Sequence, residues 1–242
     1  MSYYKTKGIN LKSLPYGESN KILTIFTFDF GKISAIAKGA RKTTSKFGVR
    51  MDSFACNDLM IAHGSSLDLI SQCETIDTFY ELRSNLILLE KAGYMCRIVN
   101  EVSTNKIKNE KLFDLLFSCL SMLKNGVNPE FVAALFDIRL MDIEGVFPTL
   151  DRCVKCHKTV PGNIRNIRFN SDFGGVVCFN CSVKENGNIK IHIDAVKLMA
   201  EIRNKEEDGF SDIMFREDVL LELKPLIKDH FERHLPINYE HS

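Results

Sequence analysis

Two closely spaced pairs of cysteines constrain this chain more than any other feature of its sequence. Cys153 and Cys156 form the first C-x-x-C pair, and Cys178 and Cys181 form the second pair after 21 intervening residues. This pattern is typical of a structural zinc site, in which four thiolates fill the tetrahedral shell of one Zn²⁺. Because no coordination position stays open, we expect the ion to stabilise a fold and not to hydrolyse a substrate. Two disulfides or four free core cysteines are the alternatives, and disulfides require an oxidising compartment.

The composition of the 242-residue chain is that of an ordinary globular protein, with 45% hydrophobic and 26% charged residues. Its beginning lacks the apolar segment of a signal peptide, and no apolar run reaches the roughly 18 residues of a membrane span. Four further cysteines lie singly in apolar segments and are predicted to be reduced core residues: Cys56, Cys73, Cys96 and Cys119. We therefore expect a cytoplasmic protein without a membrane partner.

The formal net charge is only +1, but positive charge is concentrated in one short stretch. Residues 32–50 contain no acidic residue and six basic ones: Lys32, Lys38, Arg41, Lys42, Lys46 and Arg50. Phe47 lies among these cations and, on an exposed loop, could stack on an unpaired base. The stretch indicates a surface that binds nucleic-acid phosphates, although a solvated hairpin loop would have the same composition. No helix carries the Arg and Asn residues of a sequence-specific reader, so we expect binding that ignores base sequence.

The first 80 residues predict β-structure. Five short strands are expected, near residues 9–14, 21–27, 32–38, 54–62 and 67–73. Gly31 supplies the turn between the second and third strands, and a polar loop from Gly39 to Gly48 follows the third. Five strands separated by turns predict a small closed barrel, and the OB-fold is the five-stranded barrel that binds oligonucleotides.

From Glu81 onward the apolar residues follow a helical period. Residues 112–123 carry one apolar stripe, and residues 131–143 are apolar on nearly all sides, which predicts a buried central helix. We expect a further helix that Asp194 caps, and a last helix over residues 216–235 that Pro225 kinks or divides.

These patterns predict an α+β protein with three parts. An OB-fold DNA-binding domain covers residues 1–80, and a helical domain covers residues 81–149 and 183–242. The zinc-binding module, residues 150–182, is inserted into the helical domain. Within this module, Gly174 and Gly175 permit a tight hairpin that presents the second cysteine pair.

The sequence gives no sign of a catalytic centre. It lacks a Walker A motif, G-x-S-x-G, G-x-G-x-x-G and H-E-x-x-H. Arg139 and Asp142 are three residues apart on the central helix, where they predict an internal ion pair or hydrogen bond. A pocket in which Arg139 binds the carboxylate of a partner is the alternative.

Because the sequence contains none of these catalytic motifs, we expect a protein that is not an enzyme.

Several segments of the chain occur together in one known family. In the barrel they are Gly17-Glu18-Ser19, residues 23–27, Gly31-Lys32 and the hexapeptide Ala37-Lys38-Gly39-Ala40-Arg41-Lys42. In the second half they are residues 136–141, Gly145, Pro148, Phe169, Gly174-Gly175 and the two cysteine pairs. In this order they make the chain resemble the RecO family of bacterial recombination mediators.

The resemblance implies an N-terminal OB-fold, a helical C-terminal domain and an inserted zinc module. It also implies binding to single- and double-stranded DNA, annealing of complementary strands, and loading of RecA on DNA that single-strand-binding protein covers. RecR and the C-terminal tail of single-strand-binding protein are the implied partners, and the bacterial nucleoid is the implied location. A second hypothesis is a zinc-stabilised adaptor that acts through protein contacts, with an incidental basic loop.

Overall fold

The computed structural model describes residues 2–160, 166–183, 187–235 and 237. Residues 1–129 and residues 130–240 form two compact units. Among the described residues, no helix combines the length and the apolar character that crossing a membrane requires.

The first unit begins with a closed five-stranded barrel, as predicted. Its strands are β1 (Tyr3–Tyr16), β2 (Asn20–Thr27), β3 (Gly31–Ala37), β4 (Cys56–Ala62) and β5 (Asp68–Asp77). The long first strand pairs with β2 along one part of its length and with β4 along another. Antiparallel pairs β2–β3 and β4–β5 and a short parallel pair β3–β5 close the barrel. This is an OB-fold.

Alternating apolar residues of these strands fill the barrel interior. On β3, Ile33, Ala35 and Ala37 point inward, and Ser34 between them is exposed. The small residues at the last two positions leave room for side chains that enter from the loop after β3. The core therefore combines strand residues with residues from that loop.

Two helices pack on the barrel within the same unit. They are α1 (Leu86–Val102) and α2 (Glu110–Lys124). Phe113 of α2 contacts Phe28 with ring centroids 5.5 Å apart, and Lys124 pairs with Asp77 at the end of β5 at 2.7 Å. The compact unit thus extends past residue 80 to residue 129. The three-part division at residues 80, 149 and 182 stays a prediction.

The second unit combines helices with a small sheet. Its elements are α3 (Pro129–Ile143), β6 (Asn166–Asn170), β7 (Gly175–Val177), α4 (Phe179–Ser182), β8 (Ile189–His192), α5 (Ile193–Asn204) and α6 (Glu217–His234). The central helix α3 is buried on nearly all sides, as its composition predicts. The sheet has the order β7–β6–β8, so the hairpin of the cysteine module continues into a strand beyond residue 182.

One helix prediction in this unit needs correction. The cap of α5 is His192, whose Nδ1 accepts a hydrogen bond from the Asp194 backbone N–H at 3.2 Å, while Asp194 lies in the first turn. The last helix is not divided at Pro225. Pro225 lies on the exposed face of α6, where water can bond the carbonyl that the missing N–H leaves unpaired.

Candidate nucleic-acid interface and metal centre

The basic loop after β3 is held at its first end by the turn between β1 and β2. Gly39, with φ of +70°, donates its N–H to the Asn20 side chain at 2.9 Å. The N–H of Arg41 donates to the Ser19 carbonyl at 2.9 Å, and the Arg41 guanidinium donates to the Gly17 carbonyl at 3.0 Å. These bonds place the basic stretch beside the β1–β2 turn.

Two buried asparagines hold the other end of the loop. Asn10 Nδ2 donates to the carbonyls of Arg50 and Asp52, each at 2.9 Å. Asn57 Nδ2 also donates to the Arg50 carbonyl at 2.9 Å. Because amide side chains inside the barrel satisfy these backbone carbonyls, the Arg50 segment has a defined conformation and its side chain can face outward.

The prediction that Phe47 stacks on a base is wrong for this conformation. Its side chain is only 5% exposed and packs in the barrel core together with Ala40 and Met51 of the same loop. Burying a phenyl ring stabilises the barrel, and the small residues Ala35 and Ala37 leave the space for it. Phe47 thus acts as an apolar anchor that fixes the middle of the loop.

Five of the six predicted cations are exposed on this anchored loop. They are Lys38, Arg41, Lys42, Lys46 and Arg50. The Lys46 ammonium lies 5.7 Å from the centroid of the Phe47 ring, and the Arg50 guanidinium donates to the Cys73 carbonyl at 3.3 Å. Asp52 is the first acidic residue that follows the basic stretch, and it pairs with Lys21 at 2.6 Å. The loop therefore presents a positive surface that its own acids do not neutralise.

Lys32 does not belong to this surface, contrary to the prediction. It lies at the start of β3, about 20 Å along the strand from Lys38 at a rise of about 3.3 Å per residue. Its ammonium donates to the Asn100 carbonyl in α1, and burial lowers its pKa. The side chain thus ties β3 to α1.

An exposed aromatic residue that the sequence did not reveal lies at the β1–β2 turn. Tyr16 ends β1 and is 50% exposed. The next residue, Gly17, accepts the hydrogen bond from the Arg41 guanidinium. Tyr16 is therefore an exposed aromatic residue directly before the carbonyl that binds Arg41. Only the contact between two turns separated by more than 20 residues reveals it.

The four cysteines of the two pairs come together in the second unit. The Sγ atoms of Cys153, Cys156, Cys178 and Cys181 all lie within 4.8 Å of one another. A Zn–S distance of about 2.3 Å in a tetrahedron requires S···S distances of about 3.8 Å. The Cys156 and Cys178 sulfurs are 3.7 Å apart, which fits a shared ion and is too far for a disulfide bond of about 2.05 Å.

The ionisation of the cluster also suits a cation. Burial acts to raise the pKa of the Cys153 thiol, but backbone N–H groups of Cys178, Cys156 and Lys155 outweigh it and lower this pKa to about 6. Hydrogen bonding to Cys178, together with burial and the nearby Cys153 sulfur, raises the pKa of Cys181 to about 12. Four adjacent thiolates repel one another, so full ionisation of the set requires a cation among them.

Local backbone structure positions both pairs. The N–H of His157 donates to the Cys153 carbonyl at 2.9 Å, which closes a turn around the first pair. Cys178 is the N-cap of the short helix α4, which carries Cys181. A Cβ on Gly175 would lie 2.3 Å from the Thr149 carbonyl oxygen, so only glycine permits the hairpin to approach the segment before the first pair.

Arg139 lies outside both sites. Its guanidinium donates to the Arg203 carbonyl and lies 5.4 Å from the centroid of the Phe210 ring. Asp142 accepts instead from Arg203 Nε at 2.7 Å, so both side chains make internal contacts as predicted, but with Arg203 and not with each other. These long-range partners come from α5 and the segment after it.

An OB-fold barrel followed by a helical unit with a four-cysteine cluster is an arrangement expected of a protein that binds nucleic acid and uses a metal for structure. The family model for the N-terminal domain of recombination protein O matches residues 1–79, and the model for its C-terminal domain matches residues 83–242. The chain therefore belongs to the RecO family.

Curated relatives named DNA repair protein RecO match this chain along most of their length. The DNA repair protein RecO of Caldicellulosiruptor saccharolyticus is 32% identical over 232 residues, which cover 96% of this chain and 93% of the relative. The RecO protein of Dehalococcoides mccartyi strain BAV1 is 32% identical over 225 residues, 93% of this chain and 88% of the relative. That of Rubrobacter xylanophilus is 37% identical over 182 residues, 75% of this chain and 72% of the relative.

Proposed function

We propose that this DNA repair protein binds DNA through the basic loop of its barrel and anneals complementary strands without a catalytic residue. The observation that carries the proposal is the set of five exposed cations on a loop that the barrel core anchors. Such a surface attracts phosphates whatever the base sequence, and binding releases counterions from the strand. Cations between two strands also lower their mutual repulsion, so bases can search for their complements.

Tyr16 would supply the stacking contact. Stacking of a base on an aromatic side chain contributes about 1–3 kcal/mol and tolerates every base. With Tyr16 at the β1–β2 turn and Arg41 bonded to that turn, a strand held by the loop has an aromatic ring beside it. The contact would favour single strands, because only their bases are free to stack.

Zn²⁺ is the ion that we assign to the cysteine cluster. Four thiolates with Sγ atoms within 4.8 Å of one another are the usual ligands of structural Zn²⁺. Because they fill all four coordination positions, the ion would have a structural role. The ion would hold the two cysteine turns together and supply no chemistry to annealing.

Membership in the family supports further steps of the proposal. The protein would act in the bacterial cytoplasm on nucleoid DNA, contact RecR and the C-terminal tail of single-strand-binding protein, and help RecA to load on covered strands. Arg139 is the residue that we propose for a partner carboxylate. A tail would have to compete there with the Arg203 carbonyl, which makes this the least supported contact.

Annealing of two complementary oligonucleotides, one carrying a fluorophore and one a quencher, tests the proposal. We expect the wild-type chain to accelerate annealing, and replacement of Lys38, Arg41, Lys42, Lys46 and Arg50 by Gln to abolish the acceleration. A matched control replaces Lys5 and Lys7, which are exposed on β1 of the same barrel. Equal annealing by the wild type and the five-site variant would refute the role of the loop.

The adaptor hypothesis gives a different result in the same experiment. An adaptor with an incidental loop would bind no oligonucleotide, and the five-site variant would still retain its protein partners. Pull-down with purified RecR before and after loop neutralisation separates the two functions.

A further inference from the structure

The cysteine module presents a strongly exposed aromatic residue on a segment that also carries cations. Phe179 lies between the two cysteines of the second pair, at the start of α4, and is 76% exposed. A phenyl ring gains nothing from such exposure in the folded chain alone. Val183, one turn further, is exposed as well. The tip of the second cysteine turn is therefore apolar and accessible.

The first cysteine turn, which meets the second at one sulfur cluster, carries two lysines. Phe179 follows Cys178, whose sulfur is 3.7 Å from that of Cys156. Lys155 precedes Cys156, and its ammonium lies over the Phe173 ring at 3.2 Å from the centroid. Lys158 follows two residues later and is exposed. An exposed aromatic ring on one turn and lysines on the adjoining turn form the kind of combination that single-strand binders use.

The positive charge of the module favours an anionic partner over a basic or purely apolar one. Residues 150–182 contain five Lys and Arg against two Asp and Glu, a net charge of +3. A Zn²⁺ with four thiolates contributes −2, so the loaded module still has a positive balance of about +1. A surface that only compensated the metal cluster would not also require an exposed phenyl ring.

We infer that the cysteine module is a second binding site for single-stranded nucleic acid, in which Phe179 stacks on a base and Lys158 contacts a phosphate. This inference goes beyond the proposed function, which assigns DNA binding to the barrel loop alone. It rests on the proposed function only in taking the bound polyanion to be nucleic acid. With a site on each of the two units, one chain would hold a strand at two places.

The absence of tryptophan from the sequence permits a direct test. Phe179→Trp places the only indole of the chain on the tip of the module, and Tyr16→Trp places one at the barrel site. Met214→Trp is the matched control, because Met214 is 87% exposed in the same unit. Each full-length, zinc-loaded variant is titrated with unlabelled oligo(dT), and zinc content confirms that the module is intact.

We expect the strand to quench the fluorescence at positions 16 and 179 by at least about a third and to leave position 214 unchanged, because stacking on a base quenches an indole. Quenching at position 16 without quenching at position 179 overturns the second site and leaves the barrel proposal standing. No quenching at either position, with no binding by anisotropy, overturns the proposed function itself. Equal quenching at positions 179 and 214 shows unspecific association and also overturns the second site.

A second measurement avoids the introduced indole. We expect Phe179→Ala combined with Lys158→Ala to weaken binding of a labelled oligonucleotide by at least about fivefold, through loss of one stacked base and one phosphate contact. The matched control, Leu221→Ala with Lys228→Ala, removes an exposed apolar residue and an exposed cation from α6. Identical affinities of the two double variants, both zinc-loaded, would contradict the inference.

Discussion

The barrel loop and the cysteine module present similar surfaces but hold them in different ways. Each combines exposed lysines with a strongly exposed aromatic residue, Tyr16 in the first and Phe179 in the second. The loop is fixed from inside by the buried ring of Phe47 and by the amides of Asn10 and Asn57. The module is fixed by four sulfurs around one point. The loop depends on the barrel core, whereas the module would depend on the Zn²⁺ that we propose, so the two can be perturbed separately.

Removal of the metal should have the largest effect, and this effect should be confined to the second unit. Cys178→Ser, or chelation, should unfold the module and destabilise the second unit by several kcal/mol, because metal affinity is folding free energy in such sites. Hydrogen exchange should then lose protection in residues 166–182 and keep it in the barrel strands. Cys73→Ser on β5 is the control that should retain zinc. Loss of protection in the barrel, or a stoichiometric disulfide in place of zinc, would contradict the account.

Phe47→Ala should destabilise the barrel and leave the second unit unaffected. Removing a buried phenyl ring typically costs about 3–5 kcal/mol, so the barrel should lose stability while zinc content stays the same. The matched variant Phe179→Ala removes the same ring from an exposed position and should change the free energy of unfolding by less than about 0.5 kcal/mol. Denaturant titration compares the two variants. Equal effects would mean that Phe47 is not an anchor.

Tyr16→Ala tests the aromatic residue of the barrel site. We expect single-strand binding to weaken by about 1–2 kcal/mol, because one base loses its stacking partner, with little change in stability. Tyr80→Ala removes another exposed tyrosine of the same unit and is the control. Fluorescence anisotropy measures both variants, and equal affinities would remove Tyr16 from the site.

Acid should affect the second unit through a buried histidine, which is the smallest of these effects. His230 Nε2 bonds the Val146 carbonyl at 2.8 Å, and burial, aided by neighbouring His234, lowers the pKa of His230. A lowered folded-state pKa means that the unfolded chain binds the proton better. The stability contribution is therefore complete above about pH 6.5 and is lost as the pH falls towards the folded-state pKa.

We expect His230→Gln to flatten the decrease in stability of the second unit between pH 7.5 and pH 5.5, because glutamine cannot take up the proton that the unfolded chain binds better. Hydrogen exchange at the two pH values measures the change, with the exposed His63→Gln as control. An unchanged pH dependence in the His230 variant would show that its ionisation is not linked to folding.

Periodic patterns and fixed spacings could be read from the sequence, whereas contacts between distant segments could not. Alternation of apolar residues gave the barrel strands, and the two C-x-x-C pairs gave the cysteine cluster, because both depend on local geometry. Phe47 and Tyr16 were not predicted correctly, since an aromatic residue in a loop is equally compatible with burial and exposure. The Lys32 contact with Asn100 and the Arg203 contact with Asp142 depend on packing of helices that no local pattern specifies.

The salt dependence of single-strand binding tests the central claim most directly. Each phosphate contact contributes a slope of about −0.7 to a plot of log K against log salt concentration. Arg41→Ala combined with Lys42→Ala should therefore weaken binding to every sequence and make the slope shallower by about 1.4. The same slope and the same affinity in the wild type and the double variant would show that the loop does not contact the strand.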